Sequence, residues 1–278
     1  MIDAHIHLWD TRKLDYAWLE QVPILNRDFL IEDYNAASGD QGIEAMVFVQ
    51  AECRPEQHLE ELKWVQSIAD NEPRLKAIIP WAPLEDGKGV ASELADIARD
   101  PRVKGVRRII EFEDDIDFCI QPGFIRGVQL LAENGLHCEL TIGPRNFPNV
   151  STLVKACPDT RFILDHIGCP NIANGELQPW KDLLKSFADS GPHYCKFSNL
   201  VCNADLENWT LEDLKPFADT VFETFGEDRI IWGSDWPHAL RASAYDRWVE
   251  TARVLTSGFS EEAQQKIYHD NAAKFYRI

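Results

Sequence analysis

Eight short apolar runs, each followed by a stretch of helical periodicity, recur along the whole chain, and this alternation constrains the fold more than any other feature. The first run is Met1–Trp9. Next come Ala45–Val49 with a helix over Pro55–Asn71, and Lys76–Trp81 with a helix over Gly89–Arg99. Val103–Ile110, Leu136–Thr141 and Arg161–Asp165 are followed by helices over Gly123–Asn134, Asn149–Cys157 and Trp180–Ala188. Tyr194–Ser198 precedes a helix over Thr210–Phe225, and Arg229–Trp232 precedes helices over Ala244–Leu255 and Ser260–Phe275. Runs of this kind suit parallel strands covered on both faces. Eight βα units in 278 residues predict an α/β fold, a (β/α)8 TIM barrel forming a single domain over residues 1–278. An open doubly wound sheet is the alternative, but it usually carries a glycine-rich phosphate loop after an early strand, and the chain has none.

Between the first run and the second lies a polar and aromatic segment, Trp9 to about Asn35, which reads as a loop. A helix is expected over Ile31–Gln41, with Gly42 as its cap. The net charge of −18 argues against nucleic acid or an anionic membrane as partner. None of the seven cysteines forms a C-x-x-C pair, and several sit in apolar runs, which suits reduced, buried thiols. With no membrane-length apolar run and a first strand opening at Met1, a cytoplasmic protein is expected. A homo-oligomer is left open.

In such barrels the active site gathers at the carboxyl ends of the strands. His5 and His7 lie two apart on the first run, so both point to one face. The later runs end in Gln50 and Glu52, Trp81, Arg107 and Arg108, Glu139 and Thr141, Asp165 and His166, then Lys196, Ser198 and Asn199. The last ends in Asp235, beside Trp236 and His238. Paired imidazoles bind metals, polarise oxygens or move protons. His137 begins its run and reads as structural; His58, His193 and His269 read as surface histidines.

His5-Ile6-His7, His166 and Asp235 together resemble the amidohydrolase superfamily. Val49-Gln50-Ala51-Glu52, Gly105-Val106-Arg107-Arg108, Leu164-Asp165-His166-Ile167-Gly168 and Gly233-Ser234-Asp235-Trp236-Pro237 are similar to its amidohydrolase-2 branch, near the sugar-acid lactonases. Tyr16-Ala17-Trp18-Leu19 and Asn271-Ala272-Ala273-Lys274-Phe275-Tyr276 agree. Many members hold two metals, bridged by a strand-4 lysine or glutamate and completed by a histidine ending strand 5. Here strand 4 offers Arg107 and strand 5 ends in Leu140-Thr141. The resemblance therefore implies no metal or one divalent ion, zinc by the donor set, among His5, His7, His166 and Asp235.

The resemblance further implies carbohydrate metabolism: hydrolysis of a sugar-acid lactone, an aldonolactone such as L-fucono- or L-rhamnono-lactone. Asp235 would activate water as general base, with His5, His7 and His166 polarising the carbonyl. Arg107, Gln50, Glu52, Trp81, Trp236 and His238 would bind substrate. The aromatic faces of Trp9, Trp18, Trp81 and Trp236 suit sugar C–H faces, while for at least two of them capping of the barrel core is the better reading. A metal-dependent decarboxylase of an aromatic or unsaturated carboxylic acid is the alternative, with Arg107 holding the carboxylate. A barrel that binds a sugar acid without catalysis is a third reading.

Overall fold

The computed structural model describes residues 1–278 and contains the eight expected units. The strands are β1 (Ile2–Ile6), β2 (Ala45–Val49), β3 (Leu75–Ile79), β4 (Gly105–Arg107), β5 (His137–Leu140), β6 (Phe162–Leu164), β7 (Tyr194–Phe197) and β8 (Ile230–Trp232). The helices are α1 (Ile31–Ser38), α2 (His58–Ala69), α3 (Ala91–Ile97), α4 (Pro122–Glu133), α5 (Phe147–Ala156), α6 (Trp180–Asp189), α7 (Leu211–Phe225), α8 (Tyr245–Leu255), α9 (Glu261–Gln265) and α10 (Asn271–Tyr276).

Every strand pairs in parallel with its sequence neighbour, giving ladders β1-β2-β3 and β4-β5-β6-β7-β8. Single parallel bridges join the ladders at both seams, Ile78 to Val103 and Ile6 to Trp236. Consecutive parallel order with a helix in each connection is the (β/α)8 arrangement. No helix is long and apolar enough to cross a membrane.

The strands bury both faces. A cluster of 69 residues packs their outer face against the helices, while a cluster of 12 fills the lower barrel and joins Ala272, Phe275 and Tyr276 of α10. The C-terminal helix thus plugs the barrel floor. Above it the interior turns polar: His5, Glu139, Asp165 and Lys196 are all buried there.

Some boundaries differ from expectation. Helix α1 ends at Ser38 because Gly39 takes a positive φ of 45°, so Gly39 rather than Gly42 stops it. Strand β4 is short, since the N–H groups of Ile110 and Glu111 both turn to the Thr141 carbonyl. The last predicted helix is split by a wide π turn at Lys266–Asp270. Beside it, Asn271 donates to the carbonyls of Glu227 and Ile230 at 2.7 and 2.8 Å, tying the turn to the foot of β8. His193 is no surface histidine. It is buried between Phe162 and Phe187, and burial together with Arg229 lowers its pKa to about 4.

Candidate active site

Alternation along β1 is interrupted by a bulge. Asp3 pairs with Met46 and Ile6 with Phe48, so three steps on β1 oppose two on β2. Asp3 faces outward, accepting from Tyr34, Tyr245 and the Ser234 N–H, while Ala4 lies in the inner cluster. After the bulge, His5 and His7 both point into the barrel. Strand β8 passes close by: a Cβ on Gly233 would lie 2.8 Å from His5 Cβ. The glycine before Ser234-Asp235 is therefore a requirement of this approach.

The two histidines meet Asp235. His5 Nε2 and His7 Nε2 are 3.2 Å apart, His7 Nε2 and Asp235 Oδ1 3.2 Å, and His5 Nε2 and Asp235 Oδ1 3.5 Å. The His166 ring is tilted by 50° to that of His5, with centroids 4.6 Å apart, and its Nδ1 meets Ser198 Oγ at 2.9 Å. Arg107 reaches in from β4, donating to the Gln50 carbonyl at 2.5 Å, with NH1 3.4 Å from His5 Nε2. Its Nε is buried without a partner.

Burial decides the protonation states. It lowers His7 and takes His5 well below the usual imidazole range, Lys196 adding to the effect on His5. It brings His166 down to about 4. Burial pushes the Asp235 carboxyl up, but His166 and His238 outweigh this and hold it well below the ordinary range. At neutral pH the site is three neutral imidazoles around a carboxylate.

These atoms line the floor of a cavity of about 660 Å³ at the carboxyl ends of the strands. His7, Arg107, His166, Asp235, His238 and Glu52 reach its surface, and Trp9 and Trp18 wall one side. Gln50 is buried and serves locally, its side chain bonded to the Glu52 N–H and carboxylate. Two further expected substrate contacts do not reach the cavity either. Trp81 packs on His58 and Arg108, and Trp236 is buried against Phe29 and Tyr34. Arg108 pairs outside the barrel with Glu85 and Glu113.

Strain accompanies the site. Glu52, His166, Ile167, Cys169, Asn199 and Asp235 all have positive φ without being glycine. Each such position costs on the order of 1–3 kcal/mol and persists where the surroundings over-determine it. Four of the eight strand ends supply them, and all of these side chains except Ile167 line the cavity.

The cavity also contains residues the sequence did not single out: Arg241, Glu111 and the thiols of Cys53, Cys169 and Cys202. Arg241 donates to His238 Nε2 at 3.0 Å, which leaves His238 Nδ1–H to donate to Asp235 Oδ2 at 3.1 Å. Its only sequence signal was its place one turn beyond His238. Burial raises all three thiols, Cys202 to about 12, so none is a ready thiolate nucleophile.

The donor set fits a small cation. His5, His166 and Asp235 bring one ligand atom each within 4.8 Å of one another. The 3.2 Å separation of His7 Nε2 and Asp235 Oδ1 approaches the roughly 3.3 Å edge of a tetrahedron with bonds of about 2.0 Å. His7 Nδ1 is 2.7 Å from the Val49 carbonyl, which fixes its proton there and leaves Nε2 as a lone pair.

Residues 2–278 match the sequence profile of the Amidohydro_2 family, amidohydrolase. The chain belongs to the amidohydrolase family. It is a hydrolase. An L-fucono-1,5-lactonase of Burkholderia ambifaria is 28% identical to this amidohydrolase over 282 residues, covering 100% of the chain and 95% of the relative. An L-rhamnono-gamma-lactonase of Scheffersomyces stipitis is 23% identical over 332 residues, covering 100% and 98%. The crystal structure of an amidohydrolase from Burkholderia multivorans with bound zinc superimposes with a TM-score of 0.91 at 27% identity, covering 100% and 99%.

Proposed function

We propose that this amidohydrolase opens the ring of a sugar-acid lactone, an aldonolactone of the L-fucono or L-rhamnono type, releasing the open-chain acid. The observation that carries this reading is the pairing of an ionised Asp235 with an Arg107 that has no carboxylate partner, both facing one cavity. Ester hydrolysis needs a proton acceptor for water and a donor for the oxyanion.

Water placed beside Asp235 attacks the lactone carbonyl carbon, its proton passing to an Asp235 carboxylate oxygen. The carbonyl oxygen takes up the electron pair and is held by Arg107 N–H donors. Collapse restores the carbonyl, breaks the ring C–O bond, and the leaving alkoxide recovers the proton from Asp235. A carboxyl with so low a pKa is a weak base and a strong acid, which suits the second transfer and requires the first to proceed as the C–O bond forms. His238, held by Arg241, keeps Asp235 Oδ2 occupied and Oδ1 free for water. Glu52, Glu111 and Asn199 offer oxygen partners to sugar hydroxyls, and Trp18 offers an apolar face.

A divalent ion, zinc by this donor set, would be held by His7, His166 and Asp235 with His5 at the same corner, and would supply Lewis-acid polarisation and a more acidic water. The lactonase names and the zinc-bound structure among the relatives support this choice. Acid release from a panel of aldonolactones, followed with a pH indicator, tests the reading.

A further inference from the structure

Behind the histidines lies a second polar cluster. Lys196 extends from β7 into the barrel with no exposed surface. Its Nζ is 2.5 Å from Glu139 Oε2, 3.1 Å from His5 Nδ1 and 3.2 Å from Asp165 Oδ1. An ammonium has three N–H donors and no lone pair. Three acceptor atoms surround this one.

The same three acceptors make a cation site in their own right. His5, Glu139 and Asp165 bring ligand atoms within 4.8 Å of one another, all fully buried. Tyr276 donates to Glu139 Oε1 at 2.8 Å and His137 Nε2 meets the same oxygen at 3.1 Å. Thr141 donates to Asp165 Oδ2 at 2.8 Å. The remaining oxygens, Glu139 Oε2 and Asp165 Oδ1, face the lysine, and Asp165 Oδ1 has no well-directed hydrogen bond at all. Two buried carboxylates in this position require a positive charge.

We propose that Lys196 is the resident cation of a second ion position. Its ammonium fills the three-donor site of His5 Nδ1, Glu139 and Asp165 and closes it to divalent metal, so the centre accepts one inorganic ion at most. The ammonium also fixes the ring behind the active site. With Nδ1 accepting from Lys196, the His5 proton sits on Nε2, 3.2 Å from His7 Nε2. His5 then donates to the His7 lone pair beside the catalytic carboxylate, and Lys196 is a positioning residue acting through it. None of this depends on which ester the enzyme cleaves.

Metal content decides the matter. Apo protein is incubated with zinc, passed through a desalting column and assayed by elemental analysis. Lys196→Met is expected to retain one more zinc ion per chain than the unaltered protein, and Lys196→Met/Glu139→Gln to lose that extra ion. A folded Lys196→Met protein with unchanged zinc content overturns the proposal. If the variants do not fold, 15N NMR of the metal-free unaltered protein answers the same question. A His5 ring protonated on Nε2 supports the proposal, and one protonated on Nδ1 overturns it.

Discussion

His7 Nε2 and Asp235 Oδ1 face each other at 3.2 Å, and neither carries a hydrogen when His7 is neutral. The Val49 carbonyl takes the only proton of the His7 ring, and burial keeps the ring from gaining a second. A lone pair opposed to a carboxylate in a buried site is repulsive unless something positive lies between them or beside them. The His5 Nε2–H, the Arg107 guanidinium and a small cation are the groups placed to do this, and each leads to an experiment.

The cation comes first. Losing a group that orients a ligand costs roughly 10–100-fold in metal affinity, and losing a ligand costs more. Zinc affinity of the apo protein, measured against a competing chelator, is expected to fall by at least that factor in His7→Gln. Equal affinity in the variant and the unaltered protein contradicts the assignment of His7.

Arg107 is the second. Its value lies in the planar fork, which a lysine does not reproduce. Arg107→Lys is expected to lower kcat by about 10²–10³, the range seen when one oxyanion donor is removed. Steady-state kinetics on a cleaved lactone should show the loss in kcat more than in KM. A variant with unchanged kcat and a raised KM would make Arg107 a substrate anchor only.

Gly233 tests how the two strands set the site. In Gly233→Ala the new methyl group meets His5 at both Cβ and the backbone nitrogen. Overpacking of this kind costs about 1–3 kcal/mol, and His5 must shift against Asp235. Thermal melts should show that loss together with reduced turnover. Gly258 has open space around its Cβ position, so Gly258→Ala serves as the neutral control.

Glu61 gives the pH dependence. It is buried under the β2 loop, accepting from the Ala51 N–H and the Tyr16 hydroxyl, and burial raises its pKa to about 8. The unfolded carboxyl titrates near 4.5, so folding takes up a proton between these two values. The resulting stability is fully present below the lower value and is lost as the pH rises through the upper one. Urea melts at about pH 6 and about pH 9 should show the unaltered protein losing on the order of 1–3 kcal/mol relative to Glu61→Gln. Parallel pH profiles for the two proteins would place the Glu61 carboxyl near its ordinary range.

The barrel was legible in the chain because the strands are almost wholly buried, so each is built around apolar residues and is followed by a helical stretch. His5, His7, Arg107, His166 and Asp235 were legible because polar residues ending such runs have one place to go. The rest depended on geometry without a sequence signal. The β1 bulge is set by pairing with β2, and the left-handed backbone at His166 and Asp235 is imposed by packing. Trp81 and Trp236 were candidate sugar platforms by position, but Trp81 packs on His58 and Arg108 and Trp236 is buried against Phe29 and Tyr34. Lys196 could not be assigned from β7 alone, since its partners come from β1, β5 and β6. His193 looked exposed because its burial comes from ring packing against Phe187 of α6 and Phe162 of β6, which spacing along the chain does not reveal.

The central claim is that Asp235 activates water for attack on a sugar-acid lactone. It is tested most directly by acid release from L-fucono-1,5-lactone and L-rhamnono-γ-lactone with the unaltered enzyme and Asp235→Asn. The unaltered enzyme is expected to open at least one lactone well above its spontaneous rate, and the variant to lose roughly 10²–10⁴ of that rate while remaining folded. Spontaneous rates across the panel with the unaltered enzyme, or full activity in Asp235→Asn, would contradict the account.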